Sequence, residues 1–309
     1  MSTIVNQCPS CQGHQFKELI QTKVQMQSSD DRFNFQQCEN CALVFLNPRV
    51  APEALKEYYT GAYLPYRGAK AWGKYESFVD SSQKKLDKKR ADFVSQYTTI
   101  NKDSVVLDVG CGNPTFLETC SNQYNCKTIG LDFSDEGWKN AKERFSAIDL
   151  RTGEVDTLTK ELQPDLITMW HYLEHDYDPL KTLKHLKSIA HEKTILVIEV
   201  PNYDSDSRKK YGANWAGFHT PRHTFLFSPD NLSLLLKQAG WKPKAVNTYG
   251  TLDPYNLYWM SEMEKKNTDW NKSMEAEFVG YVKGMISFLP KRFNAKKRSL
   301  GIMTGIAGL

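Results

Sequence analysis

Two pairs of cysteines near the start of the chain have the spacing of metal ligands. Cys8 and Cys11 form one Cys-x-x-Cys pair, and Cys38 and Cys41 form a second. This gap lets a tight turn aim both sulfurs at one ion, so two pairs can supply the four thiolates of a tetrahedral structural zinc site. Thiol redox chemistry is the competing interpretation. His14 is a possible substitute ligand, although four cysteines already complete such a site.

A glycine-rich turn farther along the chain has the composition of a cofactor-binding loop. Gly110-Cys111-Gly112 directly follows the apolar run 105–109, and its glycines let a ligand approach the backbone because they carry no Cβ. An acid, Asp108, stands near the end of that run. A carboxylate there disfavours the anionic pyrophosphate of a dinucleotide and favours a cationic sulfonium, so a dehydrogenase is the weaker alternative.

Further residues complete a set that could bind a nucleoside. Asp132 ends the next apolar run, about 20 residues past the glycines, where a carboxylate can accept both ribose hydroxyls. Phe133 can pack on an adenine. Glu154 and Val155, in the segment Thr-Gly-Glu-Val, are suited to bind the adenine edge with a carboxylate and a backbone amide.

Four histidines provide candidate bases, and they fall into two groups: His171 and His175, which flank Glu174, and His219 and His223, which bracket Pro221-Arg222. Histidine titrates near neutrality and is the natural general base. We predict His223 as the base, with His219 and His171 as further catalytic candidates and His171 also as a cofactor contact. His175 and Glu174 could instead cap the next helix, and Arg222 could hold an anionic acceptor.

These side chains need parallel strands that end at one edge of a sheet. Apolar runs at 105–109, 127–131, 164–170 and 194–200 alternate with helical patterns, and candidate groups follow each run. Ligands of a doubly wound sheet lie at the carboxyl ends of its strands. The pattern therefore predicts an α/β fold with a doubly wound, mostly parallel sheet.

The cysteine pairs need a hairpin to bring them together. Residues 16–27 and 32–37 are typical of strands, and the polar residues 28–31 are typical of a turn. A helical pattern follows from Lys74 to Tyr97, where the basic run 84–90 should be a solvated helix face. The predicted organisation is a zinc ribbon at 1–50, a helical linker segment at 51–98 that includes a Gly-, Tyr- and Trp-rich linker at 61–73, a cofactor-binding domain at 99–250 and a helical extension at 251–309.

Over residues 74–250 the motifs resemble those of the class I S-adenosylmethionine-dependent methyltransferases. VLDVGCGNPTFL is similar to their first motif, LDFS to their ribose-binding turn, TGEV to their adenine-binding turn and PDLITMWHYLEHDYDP to their fourth-strand segment. Pro114 replaces the usual third glycine. The cysteine pairs, CALVFLNPR and the segment from Asn214 to His223 resemble a bacterial subgroup with zinc ribbons. The resemblance implies a seven-stranded Rossmann-like sheet, S-adenosylmethionine as cofactor and a structural zinc.

The implied activity is methyl transfer from S-adenosylmethionine, and the subgroup favours a small-molecule, sugar or glycan acceptor. Asn-Pro-Pro-Tyr and Asp-Pro-Pro-Tyr motifs after the fourth strand are absent, as is a catalytic Pro-Cys dipeptide. This argues against methylation of base nitrogens and pyrimidine carbons. We predict transfer to oxygen, with carbon second. Two alternatives remain, an RNA methyltransferase whose ribbon binds RNA and a non-catalytic cofactor-binding scaffold.

Bulk properties limit the partners. The 309 residues carry a net charge of +4, with an isoelectric point near 8.5, whereas nucleic-acid-binding domains tend to exceed about 9. A signal peptide and an apolar run of roughly 18 residues are both missing, which predicts a cytoplasmic protein. The tail combines apolar stripes with basic residues: Lys291, Arg292, Lys296, Lys297 and Arg298. It should form core or a dimer contact, or rest on a membrane surface as an alternative.

Overall fold

Two large β-sheets and a two-stranded antiparallel sheet formed by β1 and β5 occur in the computed structural model, which describes residues 2–59, 63–293 and 298–309. Within these ranges the strands are β1 (Ser2–Thr3), β2 (Phe16–Lys23), β3 (Arg32–Cys38), β4 (Val44–Leu46), β5 (Arg49–Val50), β6 (Val105–Val109), β7 (Lys127–Asp132), β8 (Asp149–Thr152), β9 (Leu166–Trp170), β10 (Ile195–Pro201), β11 (Phe225–Leu226), β12 (Lys242–Asn247) and β13 (Ile302–Gly308). The α-helices are α1 (Leu64–Arg67), α2 (Glu76–Val94), α3 (Thr115–Tyr124), α4 (Pro179–Ile189), α5 (Asp206–Tyr211), α6 (Pro229–Gln238), α7 (Tyr255–Lys265), α8 (Phe278–Ser287) and α9 (Leu289–Arg292). Short 3-10 helices cover Leu55–Tyr58, Gly68–Tyr75, Val155–Thr157, Lys160–Leu162, Leu173–His175, Gly212–Asn214, Ala216–Phe218 and Met274–Glu277.

The larger sheet has seven strands in the order β12-β13-β10-β9-β6-β7-β8. Neighbouring strands are parallel from β10 through β9, β6 and β7 to β8. Strand β13 is antiparallel to both of its neighbours, β10 and β12. Side chains from α2 and α3 cover one face, and side chains from α4 and α6 cover the other. The predicted doubly wound, mostly parallel sheet is therefore confirmed. The strand order changes direction at β6, so β6 and β9 mark the position where such sheets bind ligands.

The last strand lies in a segment where we predicted only helices. Residues 251–309 contain α7, α8 and α9, but they end in β13, which inserts between β10 and β12. Its sequence, Ile-Met-Thr-Gly-Ile-Ala-Gly, is short and rich in small residues. A Cβ at Gly305 would lie 2.9 Å from the side chain of Leu232 in α6, so a small residue lets the helix approach the sheet closely.

The N-terminal ribbon forms the second sheet. Strands β2 and β3 pair as the predicted antiparallel hairpin, although β2 ends earlier than expected, at Lys23. The sheet order is β11-β4-β3-β2. Because β11 comes from the C-terminal half of the chain and pairs with β4 through Phe225 and Phe45, the ribbon shares its sheet with the methyltransferase-like part of the chain.

The segment after the ribbon is more structured than the predicted linker. Within 63–75 it forms α1 and a 3-10 helix, while residues 61 and 62 lie outside the described part of the chain. Trp72 packs against Trp259 and Tyr281 of the tail, with ring centroids 5.3 Å apart in both pairs. The long helix predicted at 74–97 is α2. Its basic run is only partly a solvated face, because Asp87 is buried and the Arg90 guanidinium lies 4.7 Å from the Trp170 ring centroid.

The apolar stripes of the tail divide into buried and exposed parts. Helix α7 buries Tyr258 and Trp259, which agrees with the prediction of core. By contrast, several apolar side chains from α8 onward are exposed: Val279, Ile286, Leu289 and Phe293. Of the predicted basic residues, Lys296 and Lys297 lie outside the described residues. In the described ranges, every helix is too short or too polar to cross a membrane.

One buried arginine connects the ribbon, the linker segment and the loop before β11. Arg222 is 1% exposed, and its guanidinium donates to the carbonyl oxygen of Gln25 at 2.8 Å and to that of Tyr58 at 2.8 and 2.5 Å. The group also stacks 4.5 Å from the ring centroid of Tyr63. Backbone carbonyls accept from three of its five N–H donors, which gives Arg222 a structural role, and its expected role as an anion ligand stays a prediction.

Replacing Arg222 with alanine should destabilise the whole chain. The substitution leaves two buried carbonyl oxygens without donors and opens a cavity, so we expect the free energy of unfolding to fall by about 3 kcal/mol. Urea unfolding followed by tryptophan fluorescence measures this change. Arg151→Ala is the matched control, since Arg151 pairs with Asp149 at the surface and should change stability by less than about 1 kcal/mol. Equal midpoints for the two variants would contradict the account.

Candidate active site

The glycine turn after β6 forms a cradle at the carboxyl edge of the sheet. Gly110 and Gly112 both have positive φ, at 73° and 49°. A Cβ on Gly110 would collide with the ring of Tyr172, so only glycine fits there without a shift. A Cβ on Gly112 would meet no atom within 4 Å. Open space beside this backbone is what a ligand lying against the turn requires.

Asp132 is bound to this turn. Its carboxylate accepts hydrogen bonds from the backbone N–H of Gly112 at 2.9 Å and of Ser134 at 3.2 Å. Burial raises the pKa of Asp132, while these backbone donors oppose the increase. The sheet thus brings Asp132 and the glycine turn together, as the sequence predicted, with the carboxylate partly accessible.

The other predicted cofactor residues lie at different depths. Phe133 is 50% exposed, with its ring centroid 5.9 Å from that of Tyr59, and Glu154 is also exposed. Val155 is buried at the start of a 3-10 helix. Cys111 is 7% exposed, and Asp108 lies below the turn, 3% exposed. The Thr168 hydroxyl donates to Asp108 at 2.6 Å, and burial raises the pKa of Asp108 to about 7.

His171 lies between two buried carboxylates. Its Nδ1 is 3.3 Å from Oε1 of Glu174, and its Nε2 is 3.4 Å from Oε1 of Glu199. Burial opposes charge on the ring, but the hydrogen bonds and charges of the two glutamates outweigh it and raise the His171 pKa to about 9. The raised pKa favours the protonated ring, which makes His171 less suited to accept a proton. Its catalytic role stays a prediction.

Glu199 is the residue that the sequence interpretation missed. It lies in β10, wholly buried, and accepts hydrogen bonds from the backbone N–H and the hydroxyl of Thr251 and from the N–H of Leu252. Burial alone would raise its pKa, but His171, Arg90 and these donors lower it to about 2. The sequence did contain a signal, because Glu199 is the single acid inside the apolar run Ile-Leu-Val-Ile-Glu-Val. A charge in a buried strand is rarely left unpaired, so an acid at this position indicates a partner nearby.

His175, His219 and His223 lie beside Glu174, although they come from two segments that are distant in the sequence. The ring centroids of His175 and His223 are 4.5 Å apart, and those of His219 and His223 are 4.9 Å apart. Nδ1 of His223 donates to the carbonyl oxygen of Gly217 at 2.8 Å, and its Nε2 lies 3.9 Å from Oε1 of Glu174. Burial lowers the pKa of His175, and it lowers those of His219 and His223 well below 6.5. The lowered pKa values favour the neutral form of these rings.

Tyrosines from the linker segment cover this cluster. The Tyr63 hydroxyl lies 2.7 Å from Nε2 of His219, and the Tyr59 hydroxyl lies 3.1 Å from Nδ1 of His175. Burial raises the pKa of both tyrosines, so both hydroxyls keep their protons. The linker therefore separates the histidines from bulk water.

The four ribbon cysteines form a compact cluster of sulfur atoms. Sγ of Cys8 lies 3.6 Å from Sγ of Cys41, and Sγ of Cys11 lies 3.5 Å from Sγ of Cys38. Four thiolates about 2.3 Å from a tetrahedral zinc ion lie roughly 3.8 Å from one another. The donor set and the spacing thus fit zinc. His14 is not needed as a ligand, because its Nδ1 lies 2.9 Å from the backbone carbonyl oxygen of Asn6.

Comparison with known proteins identifies related domains. Residues 81–246 match a family model described as a methyltransferase domain. Among solved structures, a putative sarcosine dimethylglycine methyltransferase from Galdieria sulphuraria is 12% identical with a TM-score of 0.52, covering 75% of this chain and 87% of its own. A cyclopropane synthase from Mycobacterium tuberculosis is 12% identical with a TM-score of 0.50, covering 71% and 83%. These likenesses concern the fold. A comparison with curated proteins returned no match.

Removing the Asp132 carboxylate should weaken binding of S-adenosylhomocysteine, the demethylated cofactor. Asp132→Ala deletes the group predicted to hold the ribose and also frees the N–H of Gly112, so we expect a loss of affinity on the order of a hundredfold. Isothermal titration calorimetry measures it. Glu136→Ala is the control, because Glu136 lies nearby but is exposed. Equal affinity of both variants would exclude this location for the cofactor.

Removing one ribbon cysteine should remove one metal ion. Cys38→Ser takes a thiolate from the cluster, so we expect about one zinc fewer per chain by mass spectrometry. Thermal unfolding should also begin at lower temperature, because metal binding contributes to folding of such small modules. Cys126→Ala, which alters a buried cysteine outside the cluster, should leave the zinc content unchanged. A ribbon that keeps its full zinc content without Cys38 would refute the four-cysteine site.

Proposed function

The chain belongs to the methyltransferase domain family, with the fold of the class I S-adenosylmethionine-dependent methyltransferases, and from this premise we propose that it methylates a hydroxyl oxygen of a small-molecule, sugar or glycan acceptor. The observation that carries the proposal is the close grouping of His175, His219 and His223, whose ring centroids lie 4.5 to 6.0 Å apart. Methyl transfer to a hydroxyl releases a proton, and a neutral imidazole can accept it.

The cofactor site is proposed at the glycine turn. Gly110 and Gly112 would let the amino-acid part of S-adenosylmethionine lie against the backbone, and Asp132 would accept hydrogen bonds from the ribose hydroxyls. Phe133, Glu154 and Val155 would contact the adenine, as the sequence predicted. When bound, the cofactor supplies an electrophilic methyl group on a sulfonium. The chain must then hold the acceptor oxygen in line with that methyl group.

The acceptor is proposed to bind where the two histidine groups meet. His219 and His223 are both neutral and 7% and 6% exposed. One of these two rings would accept the proton as the oxygen attacks the methyl carbon. The imidazolium of His171 would instead neutralise the two glutamates and orient Glu174 toward His223. The hydroxyls of Tyr59 and Tyr63 lie against the histidines and would limit the access of water to a bound acceptor, which would strengthen electrostatic interactions there.

The packing of the ribbon supports a small acceptor over RNA. Strand β4 of the ribbon pairs with β11, and the side chain of Asn231 in α6 donates to the carbonyl oxygen of Cys41 at 2.6 Å. Part of the ribbon surface is therefore used for contacts inside the protein. An RNA acceptor would instead require binding that weakens steeply as salt is added.

Peripheral contact with a membrane is a second proposal, on the exposed side of α8 and α9. Val279, Ile286 and Leu289 are 52%, 58% and 42% exposed, and Lys283 lies on the same side of the helix. Apolar side chains beside a lysine suit an anionic lipid surface. Flotation with vesicles containing anionic lipid should recover the wild type with the vesicles and leave Ile286→Glu behind. Recovery of both proteins in the soluble fraction would remove this proposal.

Methyl transfer should depend on the two buried histidines. We expect His219→Ala and His223→Ala each to reduce release of S-adenosylhomocysteine at least about a hundredfold, the usual scale for loss of a general base. Affinity for S-adenosylhomocysteine should persist, since the cofactor is proposed to bind at the glycine turn and Asp132. The assay uses S-adenosylmethionine and a panel of nucleotide sugars.

The control for this experiment is His185→Ala, whose ring contacts only the carbonyl oxygen of Leu158 among the described residues. It should retain wild-type turnover. Full activity of both His219→Ala and His223→Ala would disprove their role. Transfer of the methyl group into RNA, but not into any small acceptor, would disprove the acceptor class.

A further inference from the structure

The histidine group contains a second possible ligand set for a metal ion, apart from the cysteines. Ligand atoms of Glu174, His175 and His223 all lie within 4.8 Å of one another. Within this set, Nε2 of His223 lies 3.9 Å from Oε1 of Glu174. Ligands at about 2.1 Å from one ion are roughly 3.4 Å apart in a tetrahedral site. Small side-chain rotations would therefore bring the three groups to coordination distance.

The tautomers of the two histidines suit metal binding. Nδ1 of His223 donates to the carbonyl oxygen of Gly217 at 2.8 Å, and Nδ1 of His175 lies 3.2 Å from the carbonyl oxygen of Arg222. A backbone carbonyl can only accept, so Nδ1 of His223 carries the proton and its Nε2 keeps its lone pair. Nδ1 of His175 also lies 3.1 Å from the Tyr59 hydroxyl, which can accept as well as donate, so a proton on this Nδ1 would serve both partners and leave its Nε2 free. Metal-bound histidines characteristically donate their other ring N–H to such an oxygen.

The carboxylate has a free acceptor atom. Glu174 is 1% exposed, and its Oε2 has no hydrogen-bond partner among the described residues. A buried carboxylate oxygen without a donor is costly. Arg222, a buried cation nearby, donates to the carbonyl oxygens of Gln25 and Tyr58 instead. Oε1 already lies 3.3 Å from Nδ1 of His171, so a metal ion bound through Oε2 would supply the missing partner.

We propose that Glu174, His175 and His223 bind a divalent transition-metal ion, such as zinc, that holds the acceptor oxygen. Two histidines and one carboxylate are the ligand set of several catalytic metal sites, and three protein ligands leave a coordination position open. This inference rests on the proposed function, because the ligand set lies among the histidines to which the acceptor is assigned.

With the metal ion bound, His223 and His219 have different roles. The lone pair of His223 binds the metal, so His219 is the residue that receives the proton. An acceptor hydroxyl on the metal becomes more acidic. Its proton passes to His219, the oxygen forms a bond to the methyl carbon, and the bond between carbon and sulfur breaks with its electron pair remaining on sulfur. The favoured acceptors are therefore hydroxyl compounds that can bind a metal through oxygen.

The zinc content of matched variants tests this assignment. Full-length wild type, Glu174→Gln, His175→Gln, His223→Gln and His219→Gln are dialysed against zinc chloride and then against metal-free buffer, and zinc per chain is measured by mass spectrometry. We expect the first three variants to contain one zinc fewer than the wild type. His219→Gln should keep that zinc, because His219 lies beside the ligand set and outside it. The ribbon cysteines are the same in all five proteins, so any zinc they hold cancels.

Titration with S-adenosylhomocysteine on the same samples separates the possible failures. Retained binding in every variant would show that each is folded, so equal zinc contents would then overturn the metal site and leave the proposed function intact. Loss of zinc in His219→Gln as well would overturn this choice of ligands. If the wild type binds the extra zinc but no S-adenosylhomocysteine, the metal site stands and the proposed function fails.

Discussion

Burial of two carboxylates beside one imidazole is the constraint on which the rest of the site depends. Glu174 and Glu199 are 1% and 0% exposed, and His171 lies between them with both ring nitrogens within 3.4 Å of a glutamate oxygen. Removing a charge from water costs several kcal/mol unless it is paired and hydrogen-bonded. The chain meets this cost with a protonated ring and with donors from residues 251 and 252.

The parts that surround the sheet are arranged to keep this group buried. Strand β13 adds Thr304, whose hydroxyl lies 3.4 Å from Glu199, so the end of the chain completes the environment of a carboxylate in the middle of the sheet. The ribbon and linker cover the opposite side, where Arg222 ties them to the loop that carries His219 and His223. Arg222 therefore connects the packing of the ribbon and the linker to the segment that carries the two histidines.

Local sequence patterns predicted the parts of the fold that local physics determines. The run 105–109, the glycines after it and Asp132 report a buried strand, a tight turn and a strand end, and all three occur where expected. Pairing over long distances left a weaker signal: nothing in residues 302–308 indicates a partner such as β10, more than 100 residues away in the chain. The raised pKa of His171 could not be predicted from the sequence for the same reason, because it depends partly on Glu199, which lies in another strand. Likewise, the sequence around Arg222 does not show that its guanidinium donates to the backbone carbonyl oxygens of Gln25 and Tyr58.

A crystal structure of the complex with S-adenosylhomocysteine tests the central claim most directly. The account predicts the ribose hydroxyls on Asp132 and the sulfur directed toward His219 and His223, with room for one acceptor oxygen between them. A reacting oxygen and the methyl carbon must approach to about 3 to 3.5 Å before transfer. A sulfur directed away from the two histidines, or a cofactor bound away from the glycine turn, would contradict the proposed catalytic site.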